Sequence, residues 1–314
     1  MDVHETLVGA EIAGYKLTEE IFRTNHSFVY KAVSSDDQTY CLKLIRRKNK
    51  EDSTTPQLFI TESNALTILN HNSIVQVYDC YVVDHFFILI TEYMKDGSLS
   101  DILHQRHFLN NTEAQQLVFS LALALQYCHL RNVAHRNIKP SNIMFNNGRV
   151  AFTDFHIRTI NTSEKSKKNR LSSLPYMAPE IIDNMNNTSN DFPDERAGDV
   201  WSLGVVLFQV LSGRLPWSAT NYDGLVKQIK IGISSFTPRI PPMARDLISK
   251  MTTIEPLDRI SFHEIIAHPW LSKIKTISIR SQTGKICLST SLSDLPKLPY
   301  HSSFINRQKT TLLS

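Results

Sequence analysis

Two stretches constrain this chain more than any others: residues 117–130 read as a strongly apolar helix, and residues 201–211 as another that should be buried on all sides. The chain is therefore expected to build a helical body around these two. Earlier residues follow a different rhythm. From Tyr15 to about Ile45 the runs 28–33 and 40–45 read as strands, separated by the turn-rich Ser34-Ser35-Asp36-Asp37. Further strands are expected near residues 74–78 and 86–91. Between them lies a helical stretch whose one face carries Leu58, Glu62, Ala65, Leu66 and Leu69. Glu62 is the only charged member of that face. Strands first and helices afterwards make an α+β protein, with a small antiparallel sheet followed by a mainly helical part.

Composition narrows the function classes. The net charge of +4 over 314 residues is modest, with Lys and Arg spread along the chain, so nucleic acid is not an expected partner. The densest basic cluster, Lys165, Lys167, Lys168 and Arg170, sits among Asn and Ser and reads as a solvated loop. No run of about 18 uncharged apolar residues is present, and residues 1–5 lack the basic and apolar regions of a signal peptide. The expectation is a cytoplasmic protein with no membrane span. Cys41, Cys80, Cys128 and Cys287 are too dispersed for a zinc site or a disulfide framework and read as inert thiols. Residues 184–195, rich in Asn, Ser and Asp, look like a surface insertion.

The chemistry is concentrated in a few ordered motifs. Residues 135–142 read His-Arg-Asn-Ile-Lys-Pro-Ser-Asn, and Asp154-Phe155-His156 follows. Then come residues 173–180 (Ser-Leu-Pro-Tyr-Met-Ala-Pro-Glu), residues 199–204 (Asp-Val-Trp-Ser-Leu-Gly), Arg259, and residues 268–271 (His-Pro-Trp-Leu). In this order and at these spacings they resemble the protein-kinase family in its Ser/Thr branch, over about residues 15–271. Arg214-Leu215-Pro216-Trp217 and residues 244–251 are most similar to calcium/calmodulin-dependent and AMP-activated-like kinases. The resemblance implies a two-lobed protein-kinase-like fold. It divides the chain into a short extension (1–14), an N-lobe (15–91), a hinge (92–97), a C-lobe (98–271) and a flexible Ser/Thr-rich tail (272–314).

It also implies roles, residue by residue. Lys43 resembles the strand lysine that contacts the α- and β-phosphates of ATP, and Glu62 the helix glutamate that pairs with it. Val29, Cys41 and Met144 match the positions that sandwich the adenine, with Thr91 as the gate behind it and Glu92 and Met94 as hinge contacts. Cys41, larger than the family's usual alanine, narrows that pocket. Asn142 and Asp154 match the magnesium ligands, and Lys139 the lysine that stabilises the transferring phosphate. Leu66, Val77, His135 and Phe155 match a stacked apolar spine joining the lobes. Asp199 is expected to accept backbone donors from the catalytic loop, and Glu180 to pair with Arg259.

The departures are equally specific. Asn137 stands where the family has the aspartate that accepts the substrate hydroxyl's proton; an amide cannot take that proton at physiological pH. Phe22, Thr24 and Ser27 replace the three glycines of the phosphate-covering loop, where a side chain holds the backbone away from phosphate oxygens. His156 replaces the glycine after Asp154-Phe155. Ser141 and Ser98 stand at positions often acidic in basophilic relatives, so a preference for Arg-containing substrates is not expected. Arg136 is expected to collect an anion from a phosphorylated loop, with Thr162, Ser163, Ser166, Ser172 and Ser173 as candidate acceptors. The reading is a pseudokinase that binds ATP and Mg weakly and acts through a signalling protein partner. A slow but active Ser/Thr kinase and a scaffold that binds no nucleotide stay open as alternatives.

Overall fold

The computed structural model describes residues 6–24, 27–47, 54–83, 86–155, 172–186, 194–272 and 274. Its first part is a six-stranded antiparallel sheet in the order β1-β2-β3-β4-β6-β5. The strands are β1 Glu11–Ile12, β2 Tyr15–Arg23, β3 Ser27–Ser34, β4 Thr39–Arg46, β5 Val77–Val83 and β6 Phe86–Glu92. Helix α1, Thr54–Thr67, crosses between β4 and β5. Side chains alternate across a strand, so each strand feeds two different surfaces. Phe28, Tyr30 and Ala32 of β3 join Leu17, Leu42, Leu44, Ile88 and Ile90 in a small core of their own. The intervening residues point the other way. Val29 pairs in register with Lys43, Lys31 with Cys41, and Cys41 with Thr91, which puts Val29, Cys41, Lys43 and Thr91 on one face.

The second part is helical. Helices α2 Leu99–Arg106 and α3 Asn111–His129 precede a short hairpin of β7 Ile143–Asn146 and β8 Arg149–Phe152. After it come α4 Pro179–Asn186, α5 Glu195–Ser212, α6 Tyr222–Ile231, α7 Pro242–Met251 and α8 Phe262–Ala267. The two apolar stretches lie in α3 and α5, and Leu117, Leu121, Leu125, Trp201, Val205 and Phe208 are all buried. Gly204 is required where it stands: a Cβ there would lie 2.9 Å from Met251 Cβ and Thr252 Cγ2, so only glycine lets α5 meet the end of α7 this closely. One large core cluster runs from Phe59, Leu66 and Val77 in the first lobe to α3 and α5 in the second. The lobes are joined by packing as well as by the chain.

Several boundaries differ from the sequence expectation. The strand expected at 74–78 is β5, which begins only at Val77; Ile74 makes an isolated bridge to Phe152 instead. Beside it the Gln76 side-chain amide donates to Thr67 O at 3.2 Å and Val77 O at 2.9 Å, and its backbone carbonyl accepts from Glu92 N at 2.9 Å. Helix α3 starts well before the apolar stretch, at a capping box in which Asn110 and Glu113 satisfy each other's backbone N–H groups. The expected insertion is partly helical: α4 extends to Asn186, and Glu195 opens α5 behind the N-cap Asp194. Residues 187–193, and most of the tail after Leu271, lie outside the described residues.

The Glu180–Arg259 pair forms as expected. Arg259 Nη1 and Nη2 donate to both carboxylate oxygens at 2.7 and 3.1 Å, and the guanidinium also reaches the carbonyls of Ala197, Thr253 and Ile254. Its side chain is only 1% exposed. Removing either partner strands a buried charge, which costs about 3–5 kcal/mol. Arg259→Ala and Glu180→Ala should therefore each lower the thermal unfolding midpoint more than Asn137→Ala does, as read by calorimetric melting of all three variants. A larger drop for Asn137→Ala would mean that the helical lobe is not organised around this pair.

Candidate functional site

The cleft between the lobes is built first by backbone geometry. Asp199, 1% exposed in α5, accepts hydrogen bonds from the backbone N–H groups of His135 and Arg136, each at 2.8 Å, and contacts His129 Nε2 at 2.8 Å. This clamp holds Arg136 at φ 63°, a left-handed conformation uncommon outside glycine. The chain then turns through Pro140–Asn142 into β7, and Thr153 N returns to Asn142 O at 3.0 Å. Asp154 is also left-handed, at φ 61°. Both bends aim side chains into one small space.

In that space Lys43 Nζ forms an ion pair with Asp154 Oδ1. Asn137 Nδ2 donates to Asp154 Oδ2 at 3.3 Å and to its carbonyl at 3.2 Å. Asn142 Nδ2 in turn donates to Asn137 O at 2.8 Å. Lys139 Nζ reaches Ser173 Oγ at 2.9 Å, and Ser173 Oγ lies 3.4 Å from Asn137 Oδ1. Burial pushes the Asp154 carboxyl up, but Lys43 and then Lys139 outweigh it and leave its pKa below the ordinary value. Burial also lowers the Lys139 ammonium, against the pull of Asp154.

Lys43, Asn137, Lys139, Asn142 and Asp154 are thus brought together, although they come from β4, the loop after α3 and the segment after β8. The expected partner of Lys43 was Glu62. Glu62 is in α1, but its side chain lies outside the described residues, and the partner seen for Lys43 is Asp154. His156, Thr162, Ser163, Ser166 and the basic cluster at 165–170 also lie outside them. Two of the spine positions meet, the His135 and Phe155 ring centroids being 4.3 Å apart, and Phe155 packs against the large core cluster that also contains Leu66 and Val77.

Above the cleft, Val29 and Cys41 share the face of Lys43. Burial pushes the Cys41 thiol up to about 11, which makes it an apolar wall and not a nucleophile. Met94 forms a second apolar surface with Val75 and Ala151, and Met144 packs against it. The Glu92 carboxylate is already used, since Arg149 Nη2 binds it at 2.5 Å and also lies 3.3 Å from Met94 Sδ. Phe22, Thr24 and Ser27 stand in or beside the β2–β3 hairpin, whose register shifts between Leu17 and Glu19 and again between Glu20 and Phe22. Thr24 and Ser27 close its end through Thr24 N to Ser27 O at 2.8 Å and Ser27 N to Thr24 Oγ1 at 2.9 Å. None of the three has positive φ. At these three positions glycine's conformational freedom is not needed.

Two side chains carry roles that sequence reasoning missed. Glu195 Oε2 accepts from Arg136 Nε at 2.6 Å, so the guanidinium expected to await a phosphorylated loop already holds a carboxylate. Ser98 is the N-cap of α2, in a capping box with Asp101, and its hydroxyl is buried in that role. The Ser98-x-x-Asp101 spacing was the available signal for the second. Nothing local in the sequence signalled the first.

One carboxylate and one amide, Asp154 and Asn142, are hard oxygen donors of the kind that hold magnesium when phosphate oxygens complete the shell. Among the described residues no cluster of three or more His, Cys, Asp or Glu offers a metal site made by protein alone. Any ion here would depend on the phosphates of a ligand.

This sheet-and-helix architecture, with the cleft residues in these positions, is that of a protein kinase. The protein kinase domain model matches residues 15–271, and the chain belongs to that family. It is 33% identical over 206 residues to a probable serine/threonine-protein kinase of Dictyostelium discoideum, covering 65% of this chain and 24% of that protein. It is 29% identical over 259 residues to the probable serine/threonine-protein kinase MARK-A of the same organism, covering 82% and 23%. A carbon catabolite-derepressing protein kinase of Candida glabrata matches at 29% over 264 residues, covering 83% and 42%. The chain thus spans less than half the length of these relatives. No described helix is long and apolar enough to cross a membrane.

The core histidine gives the lobe a pH dependence with a definite sign. His135 is fully buried, and burial lowers its pKa to about 4, against about 6.5 when unfolded. Its depressed folded value means the unfolded chain binds the extra proton first. The contribution is complete above about pH 6.5 and is lost as pH falls towards 4. His71, also lowered to about 4 by burial, acts in the same window. Urea unfolding of wild type should therefore weaken steadily from pH 6.5 to 4.5, and His135→Phe should show a shallower slope. An unchanged slope in that variant would rule out His135 as a source of the acid sensitivity.

Proposed function

We propose that this chain is a pseudokinase: a Ser/Thr-type kinase domain that binds ATP weakly in the presence of magnesium and works through contacts with a signalling protein in the cytoplasm. One observation carries the reading. The side chain at the proton-acceptor position, Asn137, is an amide whose Nδ2 faces Asp154 and whose oxygen faces Ser173. It orients neighbours by hydrogen bonding and takes no proton. In this reading Lys43 and Lys139 attract the phosphates, and Val29, Cys41, Met94 and Met144 flank the base. Asn142 and Asp154 would hold magnesium against the phosphates, where the ion would neutralise charge. The serine and threonine side chains of the β2–β3 hairpin cover the phosphates less closely than glycines would.

A slow Ser/Thr kinase is the second reading, supported by the intact Lys139–Ser173 contact beside Asn137. Phosphoryl transfer rests mainly on positioning and charge stabilisation. Losing a general base typically lowers the rate by roughly 10² to 10⁴. Transfer of labelled γ-phosphate to generic protein substrates separates the two. Wild type should transfer little, Asn137→Asp modestly more, and Asn137→Asp with glycines at Thr24, Ser27 and His156 more again. Robust wild-type transfer that Asp154→Ala abolishes would overturn the pseudokinase and establish an enzyme. Lys43→Met should weaken ATP binding by at least about tenfold in calorimetry, the loss of one charge-assisted contact. A flat wild-type titration at millimolar ATP would leave only a scaffold.

A further inference from the structure

The segment between α7 and α8 presents apolar side chains to solvent from a backbone that is held in place. Arg259, buried behind it, donates from Nε to Thr253 O at 3.0 Å and from Nη2 to Ile254 O at 3.3 Å. Asp258 N closes the following turn on Glu255 O at 3.2 Å. Yet Leu257 is 92% exposed and Ile254 41%. Ile231, at the end of α6, is 67% exposed, and its neighbour Gly232 lies against Ile254, since a Cβ there would stand 3.2 Å from Ile254 Cδ1. Isolated exposed apolar residues are ordinary, whereas a group of them on a fixed backbone points to a covering partner.

The same turn is acidic. Glu255 and Asp258 are exposed, and neither carboxylate has an ion pair or a side-chain hydrogen bond among the described residues. The lysines that flank these segments are already engaged, Lys230 with Asp183 at 2.5 Å and Lys250 with Asp246 at 2.8 Å. A partner for this surface has to bring apolar side chains and positive charge together. The chain carries such a segment itself. Of its 34 Lys and Arg and 30 Asp and Glu, residues 272–314 hold seven and one, which leaves 27 and 29 for the rest. Within 275–288, Lys275, Arg280 and Lys285 are interleaved with Ile277, Ile279, Ile286 and Leu288. The reach is sufficient. Ile274 packs on the large core cluster just past α8, and the acidic turn lies at the other end of that helix. Six residues of helix measure about 9 Å, whereas the fourteen residues from 275 to 288 extend to about 46 Å.

We propose that residues 275–288 fold back along α8 and dock on the surface formed by Ile231, Ile254 and Leu257, with their Lys and Arg side chains facing Glu255 and Asp258. Burial of the apolar side chains supplies most of the stability, and the solvent-exposed ion pairs set the orientation. A second copy of the chain fits this surface less well. A two-fold contact through it would bring the unpaired carboxylates of one copy towards those of the other. The contact is separate from the cleft and does not depend on nucleotide binding.

The test is hydrogen exchange of the full chain, read by mass spectrometry over residues 275–288. In wild type these amides should exchange at least about tenfold more slowly than in a free peptide of the same sequence. The double variant Glu255→Lys with Asp258→Lys should bring them back to the free-peptide rate, and so should Leu257→Asp. These side chains are exposed, so the melting curves should stay that of wild type. Adding Arg280→Glu and Lys285→Glu to the Glu255→Lys, Asp258→Lys chain reverses the charges on both sides and should restore protection. Free-peptide exchange in wild type would overturn the proposal. Protection that survives both Leu257→Asp and the Glu255→Lys, Asp258→Lys change would place the tail elsewhere and sink it as well, as would charge reversal on both sides that restores nothing. Protection found only at concentrations where sedimentation shows a dimer would replace it with a contact between copies.

Discussion

The site depends on one buried carboxylate. Asp199 in α5 takes the backbone N–H groups of His135 and Arg136 and the imidazole of His129. A carboxyl group this deeply buried is tolerable only when good hydrogen-bond partners satisfy it. The requirement works in both directions. The carboxylate needs the loop, and the loop needs the carboxylate, because Arg136 would not otherwise hold a left-handed backbone. From that bend follow the placement of Asn137 against Asp154 and of Lys139 against Ser173. The rigidity of α5, packed on all sides and brought close to α7 at Gly204, is what makes the anchor firm.

On that frame the described charged groups of the site meet one another. Lys43 and Asn137 satisfy Asp154, Asn142 supports Asn137 from behind, and Glu195 holds Arg136 at the opposite side of the loop. An aspartate at 137 would leave two carboxylates facing each other, and a free Arg136 would leave a cation awaiting an anion. Both demands are answered within the chain.

The first lobe shows a related economy. Thr24 and Ser27 close the β2–β3 hairpin with ordinary backbone angles, and Phe22 points outward, 58% exposed. The glycines they replace relate to close approach of a ligand, not to the stability of the hairpin. A side chain at these positions therefore leaves the sheet intact. Val29, Cys41 and Lys43 keep their common face because a strand's period of two is indifferent to what happens at its end.

The sequence alone determined what repeats locally or carries its own chemistry. Alternation marked β3 and β4, strong apolarity marked the centres of α3 and α5, and ordered motifs marked Lys43, Asn137, Asn142, Asp154 and Asp199. Even local signals were missed where they were polar, as with the Asn110–Glu113 cap that sets the true start of α3. The family resemblance foretold the pairing of Arg259 with Glu180, 79 residues away, but only the tertiary structure decided which charges meet at the cleft: Lys43 and Asp154 are 111 residues apart, and Arg136 and Glu195 59 apart. A motif names a side chain and its usual office, but pairing is a contest among every donor and acceptor that folding brings within reach. Distance in space settles that contest, and distance in space is not written in the spacing of residues along the chain.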